Sequence, residues 1–392
     1  MTLLLILESS YKPRKLFVYS VLVLLSVTLM SCDQGEEPLP VSRTFGGQKD
    51  DIFARIIPCR DFGFIVAGYT ESYGAGFDDL WIVRFDEDGN KLWERFYGGP
   101  SDDRPSCIVQ DWNGDFLVAG LTWFFHEGWD SWLVKTDSSG NLRWMKTYGD
   151  TLSSKAAKIF PVDESGYLLF GSEESPGKDD FDYYARYLDS YGNPVWQKRY
   201  GTSYDDFLGG AWPYGDGYIL AGYHELPGTG KDEVFIVKIS LDGTKQWDTT
   251  IKNGGLVMDG AHNPDGSLIL CSSRVGENGN VVTLTKVKHD GDVMWQKDVL
   301  RGEYYAESII ESGDNGFILT GSRSLFSPRG WVMKLDQNGN SVWLREFDHE
   351  GQIGAAISAA VSRDRNIMVC GYIGEPADAW IAKLDQNGNL IW

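Results

Sequence analysis

The sequence predicts an all-β chain, a seven-bladed β-propeller with four-stranded antiparallel blades and a ring closed by an N-terminal strand. Three observations carry this. A Gly-Asn-x-x-Trp phrase recurs with little change, ending at Trp93, Trp144, Trp196, Trp247, Trp295, Trp343 and Trp392, at intervals of 48 to 52 residues. Each interval holds four short apolar runs divided by Gly, Asn and Asp turns, with no sustained 3.6-residue period after residue 31. The last repeat stops at Trp392, halfway through its outer strand, and Val41–Gly47 matches the missing half. Four strands in a unit of about fifty residues, repeated seven times, is the pattern of a propeller.

The N-terminus is a separate element. Lys12, Arg14 and Lys15 precede an apolar run from Leu16 to Met30. That run is short for a spanning helix and fits the apolar core of a signal peptide over residues 1–31. It ends in Leu29-Met30-Ser31-Cys32, which resembles the lipobox of bacterial lipoproteins. The resemblance implies cleavage before Cys32 and lipidation of its thiol. Residues 32–40, CDQGEEPLP, read as a polar, Pro-containing tether, and their acidic cluster is similar to surface-export signals of outer-membrane lipoproteins. The expected location is therefore the bacterial outer membrane, surface-exposed.

Charge narrows the partners. The formal net charge is -20, and residues 1–31 contribute +2, so the rest carries -22. Such a surface repels nucleic acid and anionic lipid, leaving the lipid anchor as the expected membrane attachment. The chain is expected to act as a monomer. Cys59, Cys107, Cys271 and Cys370 fall in different repeats without CxxC spacing and read as small buried thiols.

Within a repeat, the third run is apolar on both faces. Trp81, Val83 and Phe85 point one way and Leu80 and Ile82 the other, as a strand sandwiched between neighbouring blades requires. The recurring Trp is expected to pack on the next blade, with truncation to Ala destabilising by ~3–5 kcal/mol if it is buried. Val41–Gly47 aligns with Trp93–Gly99, so the N-terminal segment should complete the last blade and remove its free edge.

The pattern Asp-x-x-Gly-Asn-x-x-Trp, an aromatic-Gly pair, then Gly-[Phe/Tyr]-[Ile/Leu]-[Val/Leu]-Ala-Gly resembles a repeat of secreted bacterial propeller lipoproteins across residues 41–392. It is loosely similar to the Trp-docking repeats of pyrroloquinoline-quinone-type propellers. It departs from them in the shorter Asp336-to-Gly339 interval and in having no adjacent Cys pair, so quinone binding does not carry over.

Three kinds of residue are expected on the face formed by the loops after strands two and four. The first is acidic: Asp50, Asp51, Asp102, Asp103, Asp205 and Asp206, with Asp79, Asp130, Asp182, Glu233 and Asp378 before the third strand. These offer oxygen ligands to Ca²⁺, or they cap turns; no other cofactor is indicated. The second is a basic series at one register position, Arg84, Lys135, Lys238, Lys286, Lys334 and Lys383, interrupted by Tyr187 and expected to pair with loop acids. The third is aromatic and unrepeated: Trp123, Phe124, Phe125 and Trp129, flanked by Asp102, Asp103 and Asp130. Clustered surface aromatics mark binding sites for sugar faces or proteins, or they fold inward as a satellite core.

Catalytic motifs are absent. No HxH, HExxH, GxSxG or P-loop occurs, and no catalytic residue is assigned. Two functions remain: a non-enzymatic surface scaffold for glycan or extracellular protein, and a secreted polysaccharide hydrolase or lyase. A convergent carboxylate pair in a cleft would distinguish them.

Overall fold

The computed structural model describes residues 38–40, 43–124, 128–149, 152–178, 180–226, 228, 231–276, 279–324, 329–348 and 352–392. Signal segment 1–31, Cys32 and Phe125 lie outside the described residues. The chain divides into Met1–Glu36 and Glu37–Trp392, and the second unit holds all seven blades.

Blade 1 comprises Asp51–Pro58, Phe64–Thr70, Asp79–Phe85 and Lys91–Tyr97, paired antiparallel in that order. Blades 2 to 6 repeat the plan over 103–148, 154–200, 206–251, 256–302 and 304–348, and blade 7 supplies Gly354–Val361, Ile367–Ile373 and Asp378–Leu384. The first strands line the central axis, where Lys158 of blade 3 reaches Asp259 of blade 5 at 3.2 Å. Each first strand is broken by a β-bulge at the same point, at Ala54, Ser106, Ala157, Gly209, Met258, Glu307 and Ile357. Bulges sharpen strand twist, and one per inner strand bends every blade alike.

The two-faced third strand packs as its pattern requires. Trp81, Val83 and Phe85 cluster with Met368, Cys370 and Ile381 of blade 7. Leu80 and Ile82 cluster with Phe116, Val118 and Trp132 of blade 2. Cys107, Cys271 and Cys370 are buried free thiols, while Cys59 is half-buried and also free.

The recurring Trp and Gly explain each other. A Cβ placed on Gly140, Gly192, Gly243, Gly291, Gly339 or Gly388 would lie 2.7 to 3.1 Å from the Trp ring of the preceding blade. Gly89 holds the same position against Trp392, so the clasp runs round the whole ring. All seven glycines have φ between 71° and 90°, so both conformation and space exclude a side chain. The seven rings are half-buried rather than buried. The destabilisation expected on truncation therefore falls from ~3–5 to ~2 kcal/mol each.

Arg43–Phe45 pairs antiparallel with blade 7, with Arg43 opposite Ile381 and Phe45 opposite Ala379. Blade 1 has Arg95 opposite Ile82 and Tyr97 opposite Leu80, the same register. The fourth strand of blade 7 is thus composite. Leu390 bridges Leu384, Trp392 accepts from the Lys383 amide, and Arg43 continues the strand with its guanidinium 3.9 Å over the Trp392 ring. One feature was not expected. Leu39–Pro40, inside the segment read as tether, pairs in parallel with Phe347–Asp348 as a fifth strand on blade 6, and Leu39 packs on the adjacent core.

Candidate functional site

Each blade presents two sets of connections. The 2–3 loops and the 4–1 loops share one face, tied by backbone bonds such as Glu71 N–H to Asp50 and Trp123 N–H to Asp102 at 2.9 Å each. The 1–2 and 3–4 turns form the opposite face.

On the loop face several members of the acidic series accept from backbone amides, while Asp182 accepts from the Ser175 hydroxyl and Glu233 faces His224. Asp51, Asp103 and Asp206 accept from the amides of Gly47, Gly99 and Thr202 at 2.7, 2.7 and 2.6 Å. Asp79 accepts from Ala75 and Gly76 at 2.7 and 2.9 Å. The aromatic-Gly turn also lies between two carboxylates, Gly98 between Asp79 and Asp103 and Gly201 between Asp182 and Asp206. No group of three or more His, Cys, Asp or Glu is placed to hold a metal ion among the described residues.

The basic series is not on this face, which corrects the sequence reading. The third strand runs from the loop face to the turn face, so its last two or three positions arrive at the turns. There Arg84 meets Asp61 at 2.8 Å, Lys135 meets Asp111 at 2.9 Å and Lys238 meets Asp216 at 3.2 Å. Lys286, Lys334 and Lys383 meet Asp265, Asp314 and Asp364 at 2.5, 2.5 and 3.0 Å. The exception Tyr187 reaches Ser165 at 2.9 Å, and Ser165 in turn bonds Asp163. The turn acid recurs once per repeat, a signal present in the sequence.

The aromatic segment of blade 2 spans the end of Phe116–Phe124 and the start of Gly128–Thr136, which pair with Trp123 opposite Trp129. The two indoles meet edge-to-face with centroids 5.1 Å apart. Trp123 is 39% exposed and Trp129 half-buried. Arg104 lies beneath, its guanidinium 5.9 Å from the Trp129 ring and 5.2 Å from Tyr69. Asp78 holds it at 2.5 Å and Asp102 at 3.6 Å. Burial, opposed by Arg104, pushes the Asp78 carboxyl up to about 6. Asp102 is half-buried and faces the site, whereas Asp103 is buried and bound to the Gly99 amide. Asp130 packs against Gly149.

Sequence reasoning missed half of this site because it straddles a seam between repeats. Phe77, 69% exposed, sits on the blade 1 loop beside Asp78, and the Asp78 amide faces the Asp102 carboxylate at 3.4 Å. Phe77 and Trp123 thus belong to adjoining blades joined through the Asp78–Arg104–Asp102 cluster. A second missed group is His224, buried between Asp206 at 3.5 Å and Glu233 at 3.3 Å. Burial, countered by Thr202 and His224, raises the Asp206 carboxyl to about 6.

No known protein family and no curated protein matches the sequence. Among solved structures the chain is similar to Sqt1 of Chaetomium thermophilum, crystallised with the N-terminus of ribosomal protein L10, at 12% identity and TM-score 0.53 over 91% of this chain and 90% of that one. It is similar to a puromycin hydrolase at 14% identity and TM-score 0.53, covering 91% of this chain and 53% of the hydrolase. It is also similar to BBS1N, crystallised with ARL6DN, at 12% identity and TM-score 0.50 over 89% and 99% of the two chains. At such identities the likeness concerns architecture alone, and the architecture is that of a seven-bladed β-propeller.

Proposed function

We propose that this chain is a lipid-anchored scaffold at the bacterial cell surface that captures glycan or extracellular protein through the seam between blades 1 and 2. The observation that carries the reading is Trp123, a large indole held by Trp129 yet 39% exposed on a connection that the other repeats build without one. Flat rings bury much area at little entropic cost, and a guanidinium fixed by carboxylates beneath them holds the platform rigid. Asp102 is placed to accept hydroxyl or amide hydrogen bonds from a ligand lying on Trp123 and Phe77. Anchoring rests on Leu29-Met30-Ser31-Cys32, and the -22 charge beyond residue 31 opposes direct adsorption to anionic lipid.

The test is a paired screen. The mature chain carrying Cys32→Ala, and the same chain with Trp123→Ala added, are applied to a glycan array and to envelope-protein pull-downs. Ligands retained by the first and lost by the second support the seam as the site. Ligands retained equally by both place capture elsewhere.

A further inference from the structure

We propose that the turn face carries a second binding site, for a carboxylate-bearing polysaccharide chain, along the ridge formed by Arg363, Phe62, Arg60 and Trp112 of blades 7, 1 and 2. The ridge is continuous. The Arg363 guanidinium lies 4.8 Å from the Phe62 ring. Two residues before Phe62, Arg60 donates to the Trp112 carbonyl at 3.2 Å and lies 5.5 Å from the Trp112 ring. Phe62 and Trp112 are 47% and 55% exposed.

The conformation of Phe62 points to use rather than closure. It has φ +74°, at the turn position held in blades 2 and 5 by Gly114 and Gly266, with φ +82° and +81°, and in blades 6 and 7 by Asn315 and Arg365, with φ +69° and +63°. A bulky ring in left-handed backbone is strained, and an exposed ring recovers little of that strain by burial. Glycine or asparagine meets that position at lower cost, as Gly114, Gly266 and Asn315 do, whereas the two side chains that do not, Phe62 and Arg365, both lie in the turns that carry the ridge.

Charge selects the ligand. The acids of these turns are committed: Asp61 to Arg84, Asp111 to Lys135 and Asp364 to Lys383. Arg60, Arg363 and Arg365 are exposed and have no carboxylate partner among the described residues, on a chain of net charge -20. Guanidinium forks match carboxylates, and aromatic faces stack on the C–H faces of sugar rings. The neighbouring 3–4 turn exposes Glu87 and Asp88, so a broad anionic surface is repelled while a slim chain touching only the ridge is not. This site is on the face opposite Trp123 and stands independently of that one.

Polygalacturonate and its fully methyl-esterified form are the probes, titrated calorimetrically against the mature chain carrying Cys32→Ala. The expected result is saturable binding to the acid form that weakens as salt rises, with none to the ester. Arg60→Ala and Phe62→Gly should each weaken it by about tenfold or more. Phe62→Gly should leave the melting temperature unchanged or higher, since glycine relieves the strain. Trp123→Ala should bind the polymer as the parent does. Equal binding of acid and ester, no binding by the parent, or undiminished binding by Phe62→Gly would each overturn the proposal. Loss of binding in Trp123→Ala would overturn it too, by moving the contact to the loop face. Preference for phosphatidylglycerol vesicles over polygalacturonate would do the same, by making the ligand a membrane.

Discussion

Phe45→Ala is the sharpest probe of ring closure, because Phe45 belongs to the N-terminal segment yet packs across the seam. Its ring lies 5.2 Å from Phe85 and 5.9 Å from Phe53, both in blade 1, while its backbone pairs with Ala379 in blade 7. A fully buried Phe→Ala change destabilises by ~3–5 kcal/mol, and Phe45 is half-buried, so about 2 kcal/mol is expected. The backbone ladder survives the substitution, which isolates the packing contribution. With an m-value of roughly 3 kcal/mol/M for a chain this size, the urea midpoint should fall by roughly 0.5–1 M. Phe77→Ala is the control, since its ring is 69% exposed and its loss should shift stability by no more than about 0.5 kcal/mol. Equal midpoints for Phe45→Ala and the parent would refute closure by this strand. Deleting residues 33–47 extends the test: the edge of Asp378–Leu384 is uncovered, so the product should melt lower and self-associate.

Trp343→Ala should lower stability by about 2 kcal/mol, measured by urea unfolding, because a half-buried ring and its 3.1 Å bond to the Gln386 carbonyl are lost from the blade 6–7 clasp. Asp206 has a folded-state pKa raised to about 6 from 3.8, so its contribution is fully present below about pH 4 and is lost as pH rises through 6. Asp206→Asn keeps an acceptor for Thr202 and offers a donor to His224 Nδ1, so it should flatten the decline in melting temperature between about pH 4 and pH 7. An unchanged slope would show that the Asp206 carboxyl does not govern that decline. Cys32→Ala should move the protein from the membrane fraction to the soluble one without altering its melting temperature; continued membrane fractionation would remove the lipid anchor from the proposal.

The fold was legible because its periodic signals are local and redundant. Seven Trp residues at near-equal spacing set the blades, and the two-sided apolarity of Leu80–Phe85 set the third strand between neighbours. Even the closure register, Arg43 opposite Ile381, followed from aligning one outer strand with another. The inner-strand bulges were not legible, since Ala54, Ser106, Gly209, Met258 and Glu307 share no side-chain property. Nor was the parallel Leu39–Pro40 strand, whose sequence is that of a linker. The candidate site was half legible. Trp123 and Trp129 broke the repeat and drew notice, but Phe77, Asp78 and Arg104 come from another loop or from a strand that looks ordinary in isolation. The basic series does pair with carboxylates, but with the turn acids Asp61, Asp111, Asp216, Asp265, Asp314 and Asp364 instead of the loop acids the sequence suggested, because the third strand carries it from Asp79 on one face to Arg84 on the other.

Capture at the blade 1–2 seam is tested most directly by one paired measurement on Trp123→Ala: its dissociation constant for a ligand identified by the screen, and its melting temperature, both against the parent. A 39% exposed indole lost from a binding platform should weaken affinity by about tenfold or more while the melting temperature stays within about 1 °C. Unchanged affinity, or a drop of several degrees with affinity preserved in the folded fraction, would make Trp123 part of the packing and contradict the seam as the site of capture.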